Sequence, residues 1–356
     1  MEMMDIFNDD AFSLISMTAA INNIDHVPGR AGELCFVGVG EGIATTTASI
    51  ESRDQALTLI QTSQRGSPAP KETSDKAKLR SVNVPQIKLE DTIGAHQIQG
   101  VRQFGTTDQL VGVQDVVNTR MGKMSQRHDL TIEHHRLGAL KGLIKDADGS
   151  SLVNLFSLFD ITNDNSAVGG GSTDAAPKIF QYDLDSPSED SEDIRVKNME
   201  VIRWIKRHAK LILPGGFKIH AFCGDTFFDE LISREDVKAV YQNTSEQLAR
   251  LGKNYEFGIF EFGGIIFENY QGTDDNSTVA IAADEARVFL TGVPGLYAEY
   301  FAPADFMETV NTIGLPRYAK LAPDTRFNQF VELHTQQNPL PLCLRPQTLV
   351  TLKAAG

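Results

Sequence analysis

The segment from about residue 108 to residue 145 carries the longest periodic pattern in the chain. Its first apolar residues recur at spacings of three and four, as on one face of an α-helix. They are Leu110, Val113, Val117, Met121 and Met124. Beyond Ile132 the apolar positions become Leu137, Leu140 and Ile144, nearly on the opposite side of the helix. We therefore predict one long helix, ended by Asp148-Gly149. Its first half should pack on strands of its own domain, and its second half on a different layer near residues 151–182.

The region before this helix predicts two projections. Residues 1–30 contain a short apolar segment without a partner nearby in the sequence, so we expect an arm that docks elsewhere. Residues 31–80 are polar, with a turn cluster at 65–70 and alternating apolar residues in the flanks 41–59 and 79–89. This pattern predicts a long hairpin. Because such a hairpin buries little of itself, we expect it to pack on a neighbouring subunit.

The chain beyond the helix predicts a further α+β region. Residues 151–182 have the pattern of a second hairpin, and the acidic run 183–193 that of a solvated linker leading into a helix. Residues 217–333 alternate between strand-like and helix-like segments and form one α+β unit. The tail 330–352 alternates and contains prolines, so we expect edge strands there. Those prolines are Pro339, Pro341 and Pro346.

Size and charge narrow the function classes. The chain has 356 residues, which corresponds to roughly two domains. Its 33 basic and 47 acidic residues give a formal net charge of 33 − 47 = −14. A protein whose main task is to grip phosphate backbones usually carries the opposite sign. A broad nucleic-acid-binding surface is therefore not expected.

The cysteines and the apolar runs bear on the compartment. Cys35, Cys223 and Cys343 form no CxxC motif and are odd in number, so we expect reduced, buried thiols. The N-terminus is acidic where a secretory signal would be basic. No run reaches the ~18 apolar residues that cross a bilayer. We expect a soluble protein made in the cytoplasm, with no membrane partner.

The densest polar cluster is His128-Asp129, Glu133 and His134-His135. The zinc motif HExxH is absent, and the cluster is interpreted as a charged helix surface. The glycines at 38–42 do not fit GxGxxG, and Asp225 after a strand is interpreted as a helix cap. No motif in the sequence combines a nucleophile, a base and a group that orients the base. We therefore predict no catalytic, cofactor-binding or metal-binding residues, and not an enzyme.

The C-terminal third carries a recognisable set of segments. They are AADEAR at 282–287, GVPGLY at 292–297, YFAPAD at 300–305, GLPRYAK at 314–320 and QNPLPL at 337–342. Together they resemble the major capsid proteins of tailed bacteriophages, of the lambda capsid protein E type. Pro28-Gly29-Arg30 after an apolar arm also looks like that family. The resemblance covers most of the chain in order and is most specific from about residue 280.

The resemblance implies an α+β chain with the Hong Kong 97-type phage capsid fold. The expected parts are an N-terminal arm (1–30), an extended hairpin loop (31–80), a peripheral domain (81–185) with the spine helix at about 108–145, an axial domain (186–333), and C-terminal strands that return to the peripheral domain (334–356). The separate patterns described above already predict an arm, a hairpin, a two-faced helix and an α+β unit.

The resemblance also implies a function. It predicts a major capsid protein that assembles with itself into the hexamers and pentamers of an icosahedral shell. The shell would enclose phage double-stranded DNA without sequence-specific binding, in a virion assembled in the host bacterial cytoplasm. No fused scaffold precedes the arm, so we expect a separate scaffolding protein, a portal and a possible decoration protein as partners, and no cofactor.

Three points remain open at the level of sequence. Covalent crosslinking between subunits is not expected, because Lys71, Lys76 and Lys78 have the pattern of solvated loop lysines. Within the same fold, an encapsulin-like compartment that carries an enzyme cargo is an alternative. A cytoplasmic α+β enzyme with a dispersed active site is an alternative from another class.

Overall fold

A computed structural model describes residues 29–53, 77–99, 112–166, 173–184, 194–209, 213–235, 237–238, 258–270, 273 and 279–354. The predicted arm up to residue 28, the tip of the predicted hairpin and most of the predicted acidic linker lie outside the described residues.

The described strands follow one another from the base of the hairpin to the C-terminal region. In chain order they are β1 (Gly40–Gly42), β2 (Thr47–Arg53), β3 (Ala77–Asn83), β4 (Ile87–Gly94), β5 (Leu143–Lys145), β6 (Ser151–Asn154), β7 (Lys178–Gln181), β8 (Lys218–Cys223), β9 (Ile259–Phe262), β10 (Ile265–Asn269), β11 (Glu285–Thr291), β12 (Tyr297–Phe301), β13 (Tyr318–Pro323), β14 (Phe330–Gln337), β15 (Pro339–Cys343) and β16 (Val350–Lys353). The α-helices are α1 (Ala95–Ile98), α2 (Val113–Lys141), α3 (Leu155–Leu158), α4 (Ile194–His208) and α5 (Asp225–Ser233). A π-helical turn spans Gly32–Phe36, and 3₁₀ turns span Met307–Thr309 and Pro346–Thr348.

A six-stranded mixed sheet forms the centre of the main core, in the order β7-β16-β11-β8-β10-β9. Strands β8 and β10 run parallel, as do β16 and β7, and the other pairs are antiparallel. In β8 every residue from Ile219 to Cys223 is buried. A strand covered on both faces loses the alternation of a half-exposed one. Phe222, Phe267 and Phe289 fill the core, together with apolar residues of α4 and α5.

A second, smaller core lies between α2 and the three-stranded antiparallel sheet β13-β14-β4. Val117, Met121 and Met124 of the first half of α2 pack there against Ile93 and Leu333. This confirms that the first half of the helix packs on strands.

The second half of α2 packs on a different layer. Leu137 and Leu140 join the main core, which also contains Leu155 and Phe156 at the start of α3. The predicted change of apolar face along the helix, with its second half near residues 151–182, is confirmed.

The ends of α2 differ from the prediction. The helix begins at Val113 and ends at Lys141, and residues 143–145 belong to β5. The residue that ends it is Gly142, whose φ of 79° is left-handed and whose amide closes the last turn onto Ala139 and Gly138. A Cβ at this position would lie 2.2 Å from the ring of Phe156. Glycine is therefore required both for the conformation and for the packing of α3 against the helix end.

Residues 151–182 do not form the predicted hairpin. Strand β6 pairs with β5, whereas β7 pairs in parallel with β16 in the six-stranded sheet. Within the described part of 151–182, a single β-bridge joins Asn163 to Asp174. Local spacing suggested a pairing between neighbours, but β7, whose residues are half-buried, pairs instead with a strand from the far end of the chain.

Of the strands in the tail, only the one that contains proline lies at the edge of a sheet. Strand β15, with Pro339 and Pro341, lies at the edge of the sheet β1-β12-β15, as expected for residues without an amide hydrogen. Strand β14 lies between β13 and β4, and β16 lies between β7 and β11. The prediction of edge strands is wrong for these two, which contain no proline.

The six-stranded sheet also runs across the predicted domain boundaries. It combines β7 from the range 81–185, β8 to β11 from 186–333, and β16 from 334–356. The C-terminal strand β16 thus pairs directly with β11 rather than only with strands of the range 81–185.

Candidate assembly surfaces

Helix α2 carries polar residues on one face at spacings of three and four: Ser125, Asp129, Glu133 and Arg136. We call these four residues the polar stripe. Ser125, Asp129 and Glu133 are buried, as are the neighbouring His128 and His135. The interpretation of this region as a charged helix surface is wrong. Elements distant in sequence cover it and supply a partner to each residue of the stripe.

Glu133 is the centre of the polar stripe. Its Oε1 accepts hydrogen bonds from the backbone amide of Ala31 at 2.8 Å and from the hydroxyl of Tyr270 at 2.9 Å. Its Oε2 accepts from the amide of Gly32 at 3.3 Å. The carboxylate therefore satisfies amides at the start of the Gly32–Phe36 turn, which have no partner within the turn. Burial raises the pKa of Tyr270, and the nearby Glu133 raises it further, so the phenol stays a donor.

Two ion pairs extend this attachment to both neighbouring sheets. Arg136 makes a bidentate pair with Glu299 of β12, with Nε–Oε1 at 2.9 Å and Nη2–Oε2 at 2.8 Å. Arg30 pairs in the same way with Glu268 of β10, at 2.6 and 3.2 Å. The Arg136 guanidinium lies 5.8 Å from the ring centroid of Phe36. The segment 29–36 is thus fixed to α2 and to the six-stranded sheet by charge-assisted contacts.

The N-terminal end of the polar stripe contacts Arg317, just before β13. Its guanidinium forms an ion pair with Asp129 and a hydrogen bond to the hydroxyl of Ser125. His128 Nε2 lies 3.0 Å from the hydroxyl of Thr335 in β14. Burial lowers the pKa of His128 to about 4, and the positive charge of Arg317 acts in the same direction. His128 is therefore neutral at physiological pH, and this region links α2 to the smaller sheet.

These polar residues hold elements together and do not converge on an open pocket. Among the described residues, no group of three or more His, Cys, Asp or Glu side chains is placed to hold a metal ion. Cys35, Cys223 and Cys343 are free and buried, which confirms their predicted placement. In the described part of the chain, no helix combines the length and apolar character needed to cross a membrane.

The remaining sequence candidates also have structural roles. Gly40 lies in β1 opposite Glu299 of β12, and a Cβ on it would lie 2.6 Å from the ring of Phe301. Its lack of a side chain permits close strand packing. Asp225 is in the first turn of α5, where a carboxylate suits the helix dipole, and the cap position itself is occupied by Gly224. The interpretation of Asp225 as the cap residue is therefore wrong by one position, since the cap is Gly224.

One face of the hairpin β2–β3 is buried: Ala48, Ile50 and Val82 belong to the main core. The prediction that this segment packs on a neighbour and not on its own core is therefore wrong for the described part of the hairpin. Its other face is the first of three exposed surfaces. The two strands pair antiparallel from Thr47↔Asn83 to Arg53↔Ala77. Arg80 fixes its base: the guanidinium donates to Asp160 at 2.8 Å and lies 5.5 Å from the ring centroid of Phe159. The hydrogen bond from Arg80 lowers the pKa of Asp160. Leu79, beside Arg80, is 72% exposed.

The second surface is the loop 306–316 between β12 and β13, here called the apolar loop. Its exposed large hydrophobic side chains are Met307, Val310, Ile313 and Leu315. Hydrogen bonds to residues outside the loop hold it in place: the Thr309 hydroxyl donates to Ala304 O at 2.6 Å, and the Gly314 amide donates to Ile43 O at 2.9 Å. Apolar side chains held in place on a surface are typical of protein–protein contact sites.

The third surface is the turn 324–329 between β13 and β14, which presents Phe327 at 66% exposure. The three surfaces are separate in sequence, and the large aromatic side chains Phe156, Phe222, Phe227, Phe267 and Phe289 are fully buried. The described chain therefore has a well-filled interior and several separate apolar contact points.

The comparisons with known proteins agree with this arrangement. The family model described as phage major capsid protein E matches residues 13–354. The chain belongs to this family. It is 24% identical to the major capsid protein of Salmonella phage Felix O1 over 376 residues, covering 96% of each chain. It is also 24% identical to that of Pseudomonas phage KPP10 over 367 residues, covering 97% of each.

Solved structures show the fold. The chain superposes on a protein from the "capsid of empty GTA particle" with a TM-score of 0.54 and 9% identity, covering 94% of this chain and 93% of that one. For the capsid of cyanophage P-SCSP1u the TM-score is 0.50 at 10% identity, with 88% and 85% covered. The Hong Kong 97-type α+β fold is thus confirmed.

Family and fold together identify a protein that forms a phage capsid shell. Neither the encapsulin-like compartment nor the cytoplasmic enzyme is favoured, because the matching family and the curated relatives are phage major capsid proteins.

Several residues of the capsid subunit's interior were not anticipated from sequence. Arg30, Arg136, Glu268, Glu299 and Arg317 all take part in buried or half-buried ion pairs. The spacing of the polar stripe, repeated every three or four residues along α2, was a usable signal for a buried polar face. No signal identified the partners, which lie 163 and 238 positions away in two of the pairs.

Proposed function

We propose that this capsid protein builds the icosahedral shell of a tailed bacteriophage as hexamers and pentamers. The observation that carries the proposal is the position of the exposed apolar side chains. Several of them lie at three separate places, the hairpin, the apolar loop and the turn 324–329. A subunit that must contact several copies of itself at once needs separate contact points of this kind.

The charge of the chain supports a shell that encloses DNA without gripping it. A formal net charge of −14 disfavours a tight, extended contact with phosphate backbones. We propose that the shell holds double-stranded DNA through confinement rather than through base contacts. The same reasoning predicts no sequence preference in any residual binding.

Further partners and the division into domains are part of the proposal. We infer an arm (1–30), an extended loop (31–80), a peripheral domain (81–185) with α2 as its spine, an axial domain (186–333) and a C-terminal segment (334–356). Assembly in the host cytoplasm with a separate scaffolding protein and a portal, and with a possible decoration protein, follows from the resemblance. A purely structural role without catalysis fits the use of the polar stripe as an internal tether.

The hairpin supplies the experiment. Deleting residues 60–75 should leave a folded, soluble subunit that assembles poorly, because the hairpin residues that pack in the subunit's own core, Ala48, Ile50 and Val82, are left in place. Leu79→Asp should act in the same direction, since it places a charge at an exposed apolar position of β3. Circular dichroism would report folding, and sedimentation velocity would report the assembled fraction.

Gln126→Asp is the matched control, because it adds the same charge at an exposed position of α2. It should assemble like the wild type. If the deletion unfolded the subunit while the surviving protein still assembled normally, the proposed role of the hairpin would be wrong.

A further inference from the structure

The turn 324–329 is exposed, and hydrogen bonds hold its backbone. The Asp324 carboxylate accepts hydrogen bonds from the backbone amides of Arg326 at 2.9 Å, Phe327 at 3.2 Å and Gln329 at 3.4 Å. The Asn328 amide donates to Asp324 O at 3.2 Å, and the Asp324 amide donates to Phe330 O at 3.0 Å. Asn328 has a φ of 52°, a left-handed conformation that asparagine tolerates well. The turn therefore fixes the backbone that carries Phe327.

Phe327 is presented outward by this turn. It is 66% exposed, and the guanidinium of Arg326 lies 5.1 Å from its ring centroid. An aromatic ring held at the tip of a fixed turn loses little conformational freedom when it is buried by a partner. It has the properties of an interface anchor.

A cavity of about 300 Å³ opens beside the same turn. Its wall is mostly apolar and includes Ile93, Ile98, Val113, Val117, Phe330 and Val331. The other lining residues, among them Ala95 and Gln329, are also uncharged. For comparison, an apolar cavity of about 150 Å³ accommodates benzene. The cavity is large enough to take a phenyl ring.

We propose that Phe327 of one copy inserts into this cavity of a second copy of the chain. Phe327 does not fill the cavity of its own chain, because its ring is mostly exposed. The cavity lining carries no charge, so no like-charge contact within the cavity opposes a ring from a second acidic copy. Arg326 beside the ring adds a positive charge that suits an acidic partner.

The arrangement also defines the symmetry of the contact. The ring and the cavity lie side by side at one end of the smaller sheet, since Asn328 and Gln329 line the cavity, and together they form one self-complementary patch. Two copies related by a two-fold axis can therefore exchange rings, each inserting Phe327 into the cavity of the other. This inference rests on the shell-forming role, and it adds the pair of surfaces through which neighbouring subunits contact each other.

Photo-crosslinking tests the proposal directly. Phe327 is replaced by p-benzoyl-L-phenylalanine, and ¹⁵N-labelled and unlabelled subunits are mixed before assembly. Shells are irradiated, and crosslinked peptides are identified by mass spectrometry. We expect crosslinks from position 327 to residues 93–99 or 113–117, in peptide pairs that combine the two isotope labels.

A blocking variant completes the experiment. Ala95 is exposed at the wall of the cavity, so Ala95→Trp narrows the opening without disturbing the core. In shells or sheets of this variant the mixed-label crosslink should be lost. Crosslinks that map elsewhere, that join only equal labels, that fail to form in intact shells, or that persist in Ala95→Trp overturn the proposal. If the unsubstituted protein forms no shells or sheets at all, it is the shell-forming function that fails.

Discussion

At the scale of single residues, α2 joins the N-terminal segment to the rest of the subunit through buried charge. Glu133 satisfies two backbone amides and one phenol, and Arg136 and Arg30 each make a bidentate pair with a buried glutamate. Such contacts are costly to break, because the remaining partner stays buried and unpaired. They fix the segment 29–36 to α2 and to the six-stranded sheet.

Glu133→Gln tests this tether. The amide group of glutamine has one acceptor oxygen where glutamate has two, so at least one of the donors Ala31, Gly32 and Tyr270 loses its partner. We expect the free energy of unfolding to fall by about 2 kcal/mol. Urea denaturation followed by circular dichroism would measure it. Glu332→Gln, at an exposed position of β14, is the control and should change the stability by less than about 0.5 kcal/mol. Equal effects of the two substitutions would contradict the role of Glu133.

His135 makes the subunit sensitive to acid. It is buried on α2, and neither ring nitrogen has a hydrogen-bond partner among the described residues. Burial lowers its pKa to about 4; the nearby His134 lowers it further and Asp146 opposes the shift. The unfolded chain, with a histidine pKa near 6.5, therefore binds more protons between about pH 6.5 and pH 4. Stability is present above this range and is lost as the pH falls through it.

His135→Leu should reduce this acid sensitivity. The loss of stability between pH 7.5 and pH 4 should shrink by roughly 3 kcal/mol, because one of the buried neutral histidines has been removed. His128 and His220 stay in place, and burial also lowers their pKa values to about 4, so part of the sensitivity remains. Urea denaturation at several pH values measures the change. His96→Leu, at an exposed position, serves as the control. A pH profile of His135→Leu that matched the wild type would refute this explanation.

At the scale of elements, the two-faced helix is the feature that the sequence predicted best. The change of apolar face near Ile132 corresponds to the passage of α2 from the smaller core to the main core. The predicted end of the helix was wrong because the role of Gly142 depends on a tertiary contact, the close approach of Phe156, which the local sequence does not show. The polar stripe was misinterpreted because local spacing does not reveal a distant partner.

Val117→Asp and Gln126→Asp form a matched pair for this element. Val117 is fully buried in the smaller core, so an aspartate there would be an unpaired buried charge that costs several kcal/mol. We expect this variant to fold poorly or not at all. Gln126 is exposed, and its aspartate variant should melt within a few degrees of the wild type. Thermal melts followed by circular dichroism measure the stability of both variants. Equal melting temperatures for the two would show that α2 has no buried face at Val117.

At the scale of the whole molecule, long-range strand pairing decides what local patterns cannot. Strand β16 pairs with β7, and β14 pairs with β4, each across more than 100 residues of sequence. Strand β16 also pairs with β11, which is nearer in sequence. Hydrophobic alternation predicts that a strand exists but not which strand it pairs with. The family segments between residues 282 and 342 supplied the fold where periodicity could not. Arg317, within one of these segments, makes a buried ion pair.

The central claim is that copies of this chain assemble into a closed shell, and electron microscopy of the purified protein tests it most directly. Negatively stained samples, prepared across a range of protein concentrations, should contain hollow polyhedral shells or curved open sheets with a repeating lattice of capsomers. A single small oligomer of fixed size at every concentration, with no shells or sheets, would contradict the account.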